Sequence, residues 1–236
     1  MRTIVLIAAL LASGAAAAQG FPSRQINVVV PYPPGGLIDL VARIIQSRMA
    51  LELGQPVVVE NRSGAGGNVG AEFVVRATAD GHTLLLANPS LGISPSMYQK
   101  LSYSPLKDFA YVGLYGTVPN VLVVHPSIPA NNIQELIAYL RKNPGKLNYA
   151  SPGYGTSPQM SMELFKGMTN TFIVHIPFRG SGPAQAAMLA GETQLMFDNL
   201  PPQLPHIKSG KVRPLALTSL KRSSALPDVP TLDESG

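Results

Sequence analysis

The chain alternates short, β-branched apolar runs with segments whose apolar residues recur at three- and four-residue spacing. The run Ile26–Val30 predicts a buried strand, and the spacing from Ile38 to Leu53 predicts a helix that ends at Gly54. The other predicted strands are Val57–Val59, Thr83–Ala87, Val121–Val124, Asn148–Ala150, Phe172–His175, Leu195–Asp198 and Pro214–Thr218. The other predicted helices are a short one through Val69, Phe73 and Val74, followed by Ile133–Lys142, Gln159–Met168, Pro183–Leu189 and Leu204–Lys208. This alternation predicts an α/β fold of mainly parallel sheets flanked by helices.

Residues 1–18 have the pattern of a secretory signal peptide. Arg2 supplies a positive charge, Ile4–Leu11 is an unbroken apolar run, and Ala16–Ala18 supplies small residues before Gln19. A transmembrane helix is the alternative, but the apolar stretch is shorter than the roughly 20 residues that a bilayer span needs. We therefore expect an exported, soluble protein that begins near Gln19 and resides in a bacterial periplasm.

The amino-acid composition excludes several classes of function. The 236 residues are 45% hydrophobic and 13% charged, which is typical of a folded chain. The absence of Cys excludes disulfides, thiolate nucleophiles, Cys-based zinc sites and iron–sulfur clusters. The net charge is +5 with scattered basic residues, so we expect no nucleic-acid partner and favour small anions instead.

Three predicted strand-to-helix loops could bind an anion. Pro31–Gly36 ends in a glycine pair, Ser151–Ser157 combines hydroxyls with glycines, and Arg179–Gly182 combines a guanidinium, a hydroxyl and glycines. Ligands of such sheets bind beyond the carboxyl ends of the strands, where helix starts present free N–H groups. Each loop alone is better explained by ordinary helix capping. The three together favour a site for a small carboxylate.

Catalytic motifs are weak or missing. The segment Gly64–Gly70 reads G-x-G-G-x-x-G, one residue longer than a dinucleotide fingerprint, and the sequence has neither a P-loop nor a G-x-S-x-G elbow. The four His are widely spaced. Asp39 and Asp198 could form a carboxylate pair, although Asp39 is also explained by the helix dipole of a first turn. No specific motif therefore supports catalysis, and an exported esterase or NAD-type oxidoreductase stays open as an alternative.

Seven segments together resemble the Bug-type receptors, the periplasmic solute-binding proteins of tripartite tricarboxylate transporters. They are spread over nearly all of the chain after the signal peptide: Pro31–Asp39 with Ala42–Arg43, Leu53–Gly70, Ala79–Leu86, Leu106–Phe109, Asn143–Asn148, Met196–Leu200 and Ala225–Thr231. The resemblance implies a two-lobed periplasmic binding protein of type II. It also implies a monomer that captures a small carboxylate between its lobes and delivers it to membrane subunits, with no cofactor, metal or covalent chemistry. A transport-independent carboxylate sensor is a further alternative.

The resemblance also implies a division of the chain and a set of ligand-binding residues. We expect a first lobe over 19–122, a second over 123–224, and the start of a return to the first lobe over 225–236. Loops of both lobes should bind the carboxylates, largely through backbone amides and water molecules. The expected ligand-binding residues are Pro33, Gly35, Gly36, Ser90, Ser151, Gly155, Thr156, Ser157, Arg179, Gly180, Ser181, Asp198 and Asn199.

Three departures from the family pattern qualify this expectation. Gln159 stands where the family often has His, and Leu37–Ile38 is more apolar than the small or hydroxylated residues common after the glycine pair. Family chains also normally continue beyond the Ala225–Thr231 motif. We therefore expect a fragment or truncated product whose first lobe exposes apolar surface, so that 19–236 aggregates or is partly unfolded. A cooperative, reversible thermal transition of 19–236 would refute that expectation.

Overall fold

The computed structural model describes residues 20–236, so the predicted signal peptide and its cleavage site lie outside the described residues. Within that range, no helix has both the length and the apolar character needed to cross a membrane. These described residues form two β-sheets, one in each half of the range.

The first sheet is small and entirely parallel. Its strands lie in the order β2-β1-β3, and the central strand β1 carries the INVVV run with four of its five residues buried. The strands are β1 (Ile26–Val30), β2 (Val57–Asn61) and β3 (Thr83–Leu85). The helices of this lobe are α1 (Leu37–Leu53), α2 (Asn68–Val75), preceded by a 3-10 turn at Ala65–Gly67, and α3 (Ser90–Met97).

The second sheet has five strands in the order β6-β5-β7-β4-β8. β5 pairs in parallel with β6 and β7, whereas β4 runs antiparallel to both β7 and β8. The strands are β4 (Asn120–Val124), β5 (Asn148–Ser151), β6 (Val174–Pro177), β7 (Leu195–Asn199) and β8 (Arg213–Leu217). The helices are α4 (Ile133–Lys142), α5 (Ser157–Thr169), α6 (Ser181–Leu189) and α7 (Leu200–Lys208).

Helices cover both faces of the second sheet. On one face α4 and α5 bury Leu136, Leu140 and Phe165 against the strands. On the other face α6 and α7 contribute Met188 and Leu200. The strands are therefore apolar on both sides, which is why they read as continuous β-branched and apolar runs in the sequence.

The α/β class is confirmed, with differences at element ends. The helix α3 was not predicted, because Gly92, Pro95 and several serines make its sequence resemble a loop. The strand predicted at Phe172–His175 lies two residues later, at β6. The helices α6 and α7 begin before the predicted Pro183 and Leu204, because serine, glycine and proline in a first helical turn resemble loop residues.

The predicted lobe boundary between residues 122 and 123 falls inside β4, all of which pairs in the second sheet. We propose that the second lobe begins before Asn120. In the last segment, Thr231 bridges to Leu217 at the edge of the second sheet, and Leu232 packs on the core of that lobe.

Candidate functional site

Four helix starts meet at a cleft between the two lobes. The cleft has a volume of about 400 Å³, counting the open space at its mouth. The starts of α1, α5, α6 and α7 all contribute to its wall. The lining residues are Tyr32, Pro33, Gly36, Leu37, Ile38 and Asn88 from the first lobe and Pro152, Thr156, Ser157, Pro158, Ser181 and Asn199 from the second.

The loop before α1 is held by the buried carboxylate of Asp39. Its Oδ2 accepts hydrogen bonds from the Gly35 amide and from Arg43 Nε, each at 3.0 Å, while its Oδ1 accepts from Arg43 Nη2 and from Asn61 Nδ2. Burial by itself would raise the pKa of Asp39, but the bonds from Arg43, Gly35 and Asn61 outweigh it and hold the pKa below its usual value. Asp39 thus stays ionised and fixes the Pro33–Gly36 turn, a role beyond the helix-dipole interpretation.

The second lobe also places a buried carboxylate behind its cleft loops. Asp198, at the end of β7, is fully buried and accepts hydrogen bonds from Ser181 Oγ, the Asn199 amide, Gln185 Nε2 and Gln203 Nε2 at 2.7–3.1 Å. None of these donors is a cation. Burial therefore raises the pKa of Asp198 despite the four bonds. Asp198 orients Ser181 and Asn199, which face the cleft, but does not itself line it.

The loop between β5 and α5 is fixed by internal hydrogen bonds. Thr156 Oγ1 donates to the Gly153 carbonyl at 2.8 Å, and Gln159 Oε1 accepts from the Gly155 amide at 2.7 Å. Gln159 therefore holds the loop, and its buried side chain does not line the cleft. Ser157, at the first position of α5, lines the cleft.

Tyr32 forms the inner wall of the first-lobe side. Its hydroxyl lies 2.9 Å from the Gly66 carbonyl, 2.9 Å from Ser90 Oγ and 3.3 Å from Asn88 Oδ1. Burial raises the pKa of Tyr32, so the phenol remains protonated and can donate at neutral pH. Ser90 is buried behind this ring and does not reach the cleft.

The cleft is suited to an anion although, among the described residues, none that lines it has a charged side chain. The first turn of each helix leaves amide groups without intrahelical acceptors, and the aligned peptide dipoles place partial positive charge there. At α1 and α6 these amides belong to Leu37, Ile38, Ser181 and Gly182. Such a helix start binds carboxylate or phosphate oxygens directly.

The structure brings six of the thirteen predicted ligand-binding residues to the cleft wall: Pro33, Gly36, Thr156, Ser157, Ser181 and Asn199. The other seven, Gly35, Ser90, Ser151, Gly155, Arg179, Gly180 and Asp198, lie beside or behind that wall. Arg179 is exposed. Gly180 has a φ of +113° and approaches Pro33 across the cleft, since a Cβ there would lie 2.9 Å from Pro33 Cδ.

The expected list of ligand-binding residues omits six that line the cleft: Tyr32, Leu37, Ile38, Asn88, Pro152 and Pro158. Tyr32 and Pro152 lie in loops already predicted to bind an anion, and Leu37, Ile38 and Pro158 directly follow those loops. Asn88 lies three residues after β3, and its Oδ1 accepts from the Ser90 amide at the start of α3 at 3.1 Å. An Asn directly after the predicted strand Thr83–Ala87 is the signal that could have identified it.

The chain matches known proteins over most of its length. Residues 41–236 match the family model described as "Tripartite tricarboxylate transporter family receptor". A protein from the tcbD-tcbE intergenic region of Pseudomonas sp. (strain P51) is 42% identical over 215 residues, which are 91% of this chain and 64% of that relative. Protein BugT of Bordetella pertussis is 40% identical over 221 residues, 93% of this chain and 68% of BugT. The chain thus spans about two thirds of the length of these relatives.

Solved structures agree with the fold. An R. palustris protein solved with adipate superposes with a TM-score of 0.89 at 38% identity, covering 92% of this chain and 73% of that one. The periplasmic binding protein BugD gives a TM-score of 0.87 at 39% identity, with 92% and 72% covered. MatC from Rhodopseudomonas palustris, solved with bound malate, gives 0.84 at 35% identity, with 92% and 74% covered.

Proposed function

The chain belongs to the tripartite tricarboxylate transporter receptor family, and on that premise we propose that it is an extracytoplasmic receptor for a small carboxylate. The ligand binds in the cleft between the lobes without being chemically changed. The protein delivers it to the membrane subunits of a tripartite transporter. It acts as a monomer in the periplasm, which the signal-peptide pattern of residues 1–18 would direct it to reach.

One observation carries this proposal: helix starts from both lobes converge on a cleft to whose wall residues 20–236 contribute no charged side chain. A site without cations takes its positive potential from backbone amides, which suit carboxylate oxygens. Hydrogen bonds to a charged group contribute roughly 1.5–3 kcal/mol each. A few such bonds, including one from the Leu37 amide and one from the Ser181 amide, support micromolar binding. This remains so after the entropic cost of immobilising the ligand and the cleft loops is subtracted.

The ligand class follows from the wall and from the relatives. Tyr32, Leu37 and Ile38 give the first-lobe side an apolar face, while Ser157, Ser181 and Asn199 give the second-lobe side hydroxyl and amide groups. One relative was solved with adipate and another with malate, both small dicarboxylates. The apolar face favours a ligand with a methylene chain over a densely hydroxylated one.

The esterase alternative has one structural observation in its favour. Ser151 Oγ lies 2.6 Å from His175 Nε2, the separation of a nucleophile and its general base. However, Ser151 is fully buried and does not line the cleft. The nearby Glu163 carboxylate is engaged by Tyr149 and Lys166. The Ser151–His175 pair therefore fits a structural contact better than an active site.

A thermal-shift screen against mono-, di- and tricarboxylates tests the receptor function. We expect at least one carboxylate to raise the unfolding temperature and to be recovered unchanged by mass spectrometry after incubation with the protein. Conversion of the ligand would establish an enzyme. The absence of any shift across the panel would overturn the receptor proposal.

A further inference from the structure

Asp198 lies directly behind two helix starts that line the cleft in the second lobe. Its Oδ1 accepts a hydrogen bond at 3.1 Å from Ser181 Oγ, at the first position of α6. The same oxygen accepts at 2.9 Å from the amide of Asn199, the residue before α7. Ser181 and Asn199 both line the cleft. A carboxylate bound at this part of the wall is therefore separated from the Asp198 carboxylate by a single residue.

An ionised Asp198 competes with the ligand for the same positive potential. The starts of α6 and α7 carry partial positive charge from aligned peptide dipoles, and a buried anion beside them neutralises part of it. The buried anion also repels a second anion, and burial leaves little water to screen that repulsion. The first lobe has no such conflict, because Arg43 balances the charge of Asp39. A protonated Asp198 leaves the second-lobe helix starts free for a ligand carboxylate.

The hydrogen bonds around Asp198 can accommodate a proton without the loss of any of them. Oδ2 accepts from Gln185 Nε2 at 2.7 Å and from Gln203 Nε2 at 3.1 Å. Amide nitrogens can only donate, whereas a hydroxyl can donate or accept. A proton on Oδ1 can therefore be donated to Ser181 Oγ. That one bond reverses, while the Asn199 amide and both glutamines continue to donate to the carboxyl group.

Asp198 is the titratable group at these helix starts. Among residues 20–236, all four groups that donate to its carboxylate are neutral, and burial raises its pKa. The helix α6 and the strand β4, which pack against it, contain no titratable residue. His206 and Lys208 lie in the last turn of α7, and Tyr149 of β5 belongs to the core on the opposite face of the sheet. Arg179, before α6, is exposed.

We propose that carboxylate binding is coupled to proton uptake at Asp198, so that the receptor holds its ligand more tightly as the pH falls. This inference rests on the proposed receptor function and adds the regulation of that site by pH. The proton comes from the solvent and leaves again when the ligand dissociates. The proton and the ligand raise each other's affinity by the same factor. The effect is confined to pH values between the pKa of Asp198 in the free protein and its higher pKa in the complex.

Isothermal titration with adipate and with malate, in buffers of different ionisation enthalpy, measures the protons taken up with each ligand. We expect the wild type to take up more protons than Asp198→Asn, by up to about one per ligand. The ratio of the wild-type Kd to the Asp198→Asn Kd should rise at least about fivefold from pH 5 to pH 8. Because both proteins are measured at each pH, the ionisation of the ligand itself cancels in this ratio.

Two further variants keep the test decisive if Asp198→Asn folds poorly. Gln203→Met removes one donor to the ionised carboxylate, so we expect the pH dependence to move to higher pH. His175→Gln is the matched control, because His175 contacts Ser151 in the loop before α5 and titrates independently of Asp198. We expect His175→Gln to keep the wild-type proton uptake.

Three outcomes would overturn the coupling and leave the receptor function standing. They are equal proton uptake by the wild type and Asp198→Asn, loss of the uptake in His175→Gln, and an unchanged pH profile in Gln203→Met. Failure of the wild type to bind either adipate or malate at any pH would contradict both the coupling and the receptor function.

Discussion

The two lobes fix their cleft loops with buried carboxylates in opposite electrostatic settings. In the first lobe Asp39 is paired with Arg43 and has a lowered pKa. In the second lobe Asp198 is bonded only to neutral donors, and burial raises its pKa. A carboxylate with a cation stabilises the fold as an ion, whereas a buried carboxylate without one orients its neighbours at an energetic disadvantage. An ionised aspartate therefore stabilises the folded first lobe, whereas it destabilises the folded second lobe.

The lobes also differ in how completely they bury apolar side chains, and here the second lobe has the more favourable arrangement. The second lobe covers both faces of a five-stranded sheet. The first has a three-stranded sheet and leaves Leu106, Val112 and Leu114 81–90% exposed in and before the segment that leads to β4. The second lobe can accommodate an unpaired buried charge because its core is extensive. The first lobe depends more on the Asp39 network.

Neutralising each carboxylate gives the largest expected contrast. We expect Asp39→Asn to lower the free energy of unfolding by about 2 kcal/mol, because the charge that holds Arg43 and Asn61 is lost. Asp198→Asn should stay within about 1 kcal/mol of wild type, because it removes an unpaired buried charge and the Gln203 amide can turn to accept from the new side chain. Urea unfolding of both variants measures the contrast. Equal losses would show that the two carboxylates act alike.

The glycines at the two helix starts should respond differently from each other. A side chain at Gly36 meets no atom within 4 Å and projects into open space at the cleft wall. Gly36→Val should therefore fold and weaken carboxylate binding about tenfold or more, a loss of about 1.4 kcal/mol. Gly180→Val should reduce both stability and binding, because of its positive φ and its contact with Pro33.

Two controls accompany the glycine variants in isothermal titration. Gly167→Val also places a side chain in open space but lies outside the cleft wall, so we expect it to leave binding unchanged where Gly36→Val weakens it. Arg179 is exposed and outside the wall, so Arg179→Lys should also have little effect. If Arg179→Lys abolished binding while the glycine variants kept it, a side-chain clamp would replace the amide mechanism.

The pH dependence of stability should separate the two carboxylates. The lowered pKa of Asp39 means that its stabilisation is present above the unfolded pKa of about 3.9 and is lost as pH falls through the folded value. The raised pKa of Asp198 means that its contribution is complete below about 3.9 and is lost as pH rises through the folded value.

Urea unfolding from pH 3 to pH 8 measures both effects by difference. Asp39→Asn should flatten the loss on the acid side, and Asp198→Asn should flatten the decline above pH 4. Glu163 also has a lowered pKa, because its bonds to Lys166 and Tyr149 outweigh burial, and it contributes to the acid loss in all variants. A profile of Asp198→Asn that matches wild type would contradict the raised pKa.

The exposed apolar residues of the first lobe give the smallest expected effect on stability. Val112→Ser with Leu114→Ser should reduce binding of a hydrophobic dye and slow aggregation while changing the free energy of unfolding by about 0.5 kcal/mol or less. Leu220→Ser is the matched control, because Leu220 is 82% exposed in the second lobe. An equal drop in dye binding from Leu220→Ser would show that the first lobe is not distinctive.

Secondary structure could be predicted from the sequence wherever the spacing of apolar residues within one segment determines it. The spacing of Ile133–Lys142 predicted α4 with both ends correct. The helix α3 was missed because its Pro95 and Gly92 are unfavourable locally, and packing of Leu91 beside Ala71 and Tyr103 compensates for them. The antiparallel direction of β4 depends on which strands it pairs with, and no local pattern encodes that.

The candidate site was predictable as a set of loops but not as a set of contacts. Glycines, hydroxyls and strand ends marked the loops at Gly36, Ser157 and Ser181. The supporting roles of Asp39 and Asp198 depend on burial and on partners as distant in sequence as Asn61, which lies in β2. Such features arise from tertiary packing.

The central claim is that backbone amides at the helix starts bind the carboxylate. Titration of the ¹⁵N-labelled protein with the strongest ligand of the thermal-shift screen tests it most directly, by following backbone amide resonances. The account predicts that the largest shifts occur at Leu37, Ile38, Ser157 and Ser181, with small changes at Arg179. Shifts centred on Arg179, or on residues remote from the cleft, would contradict it.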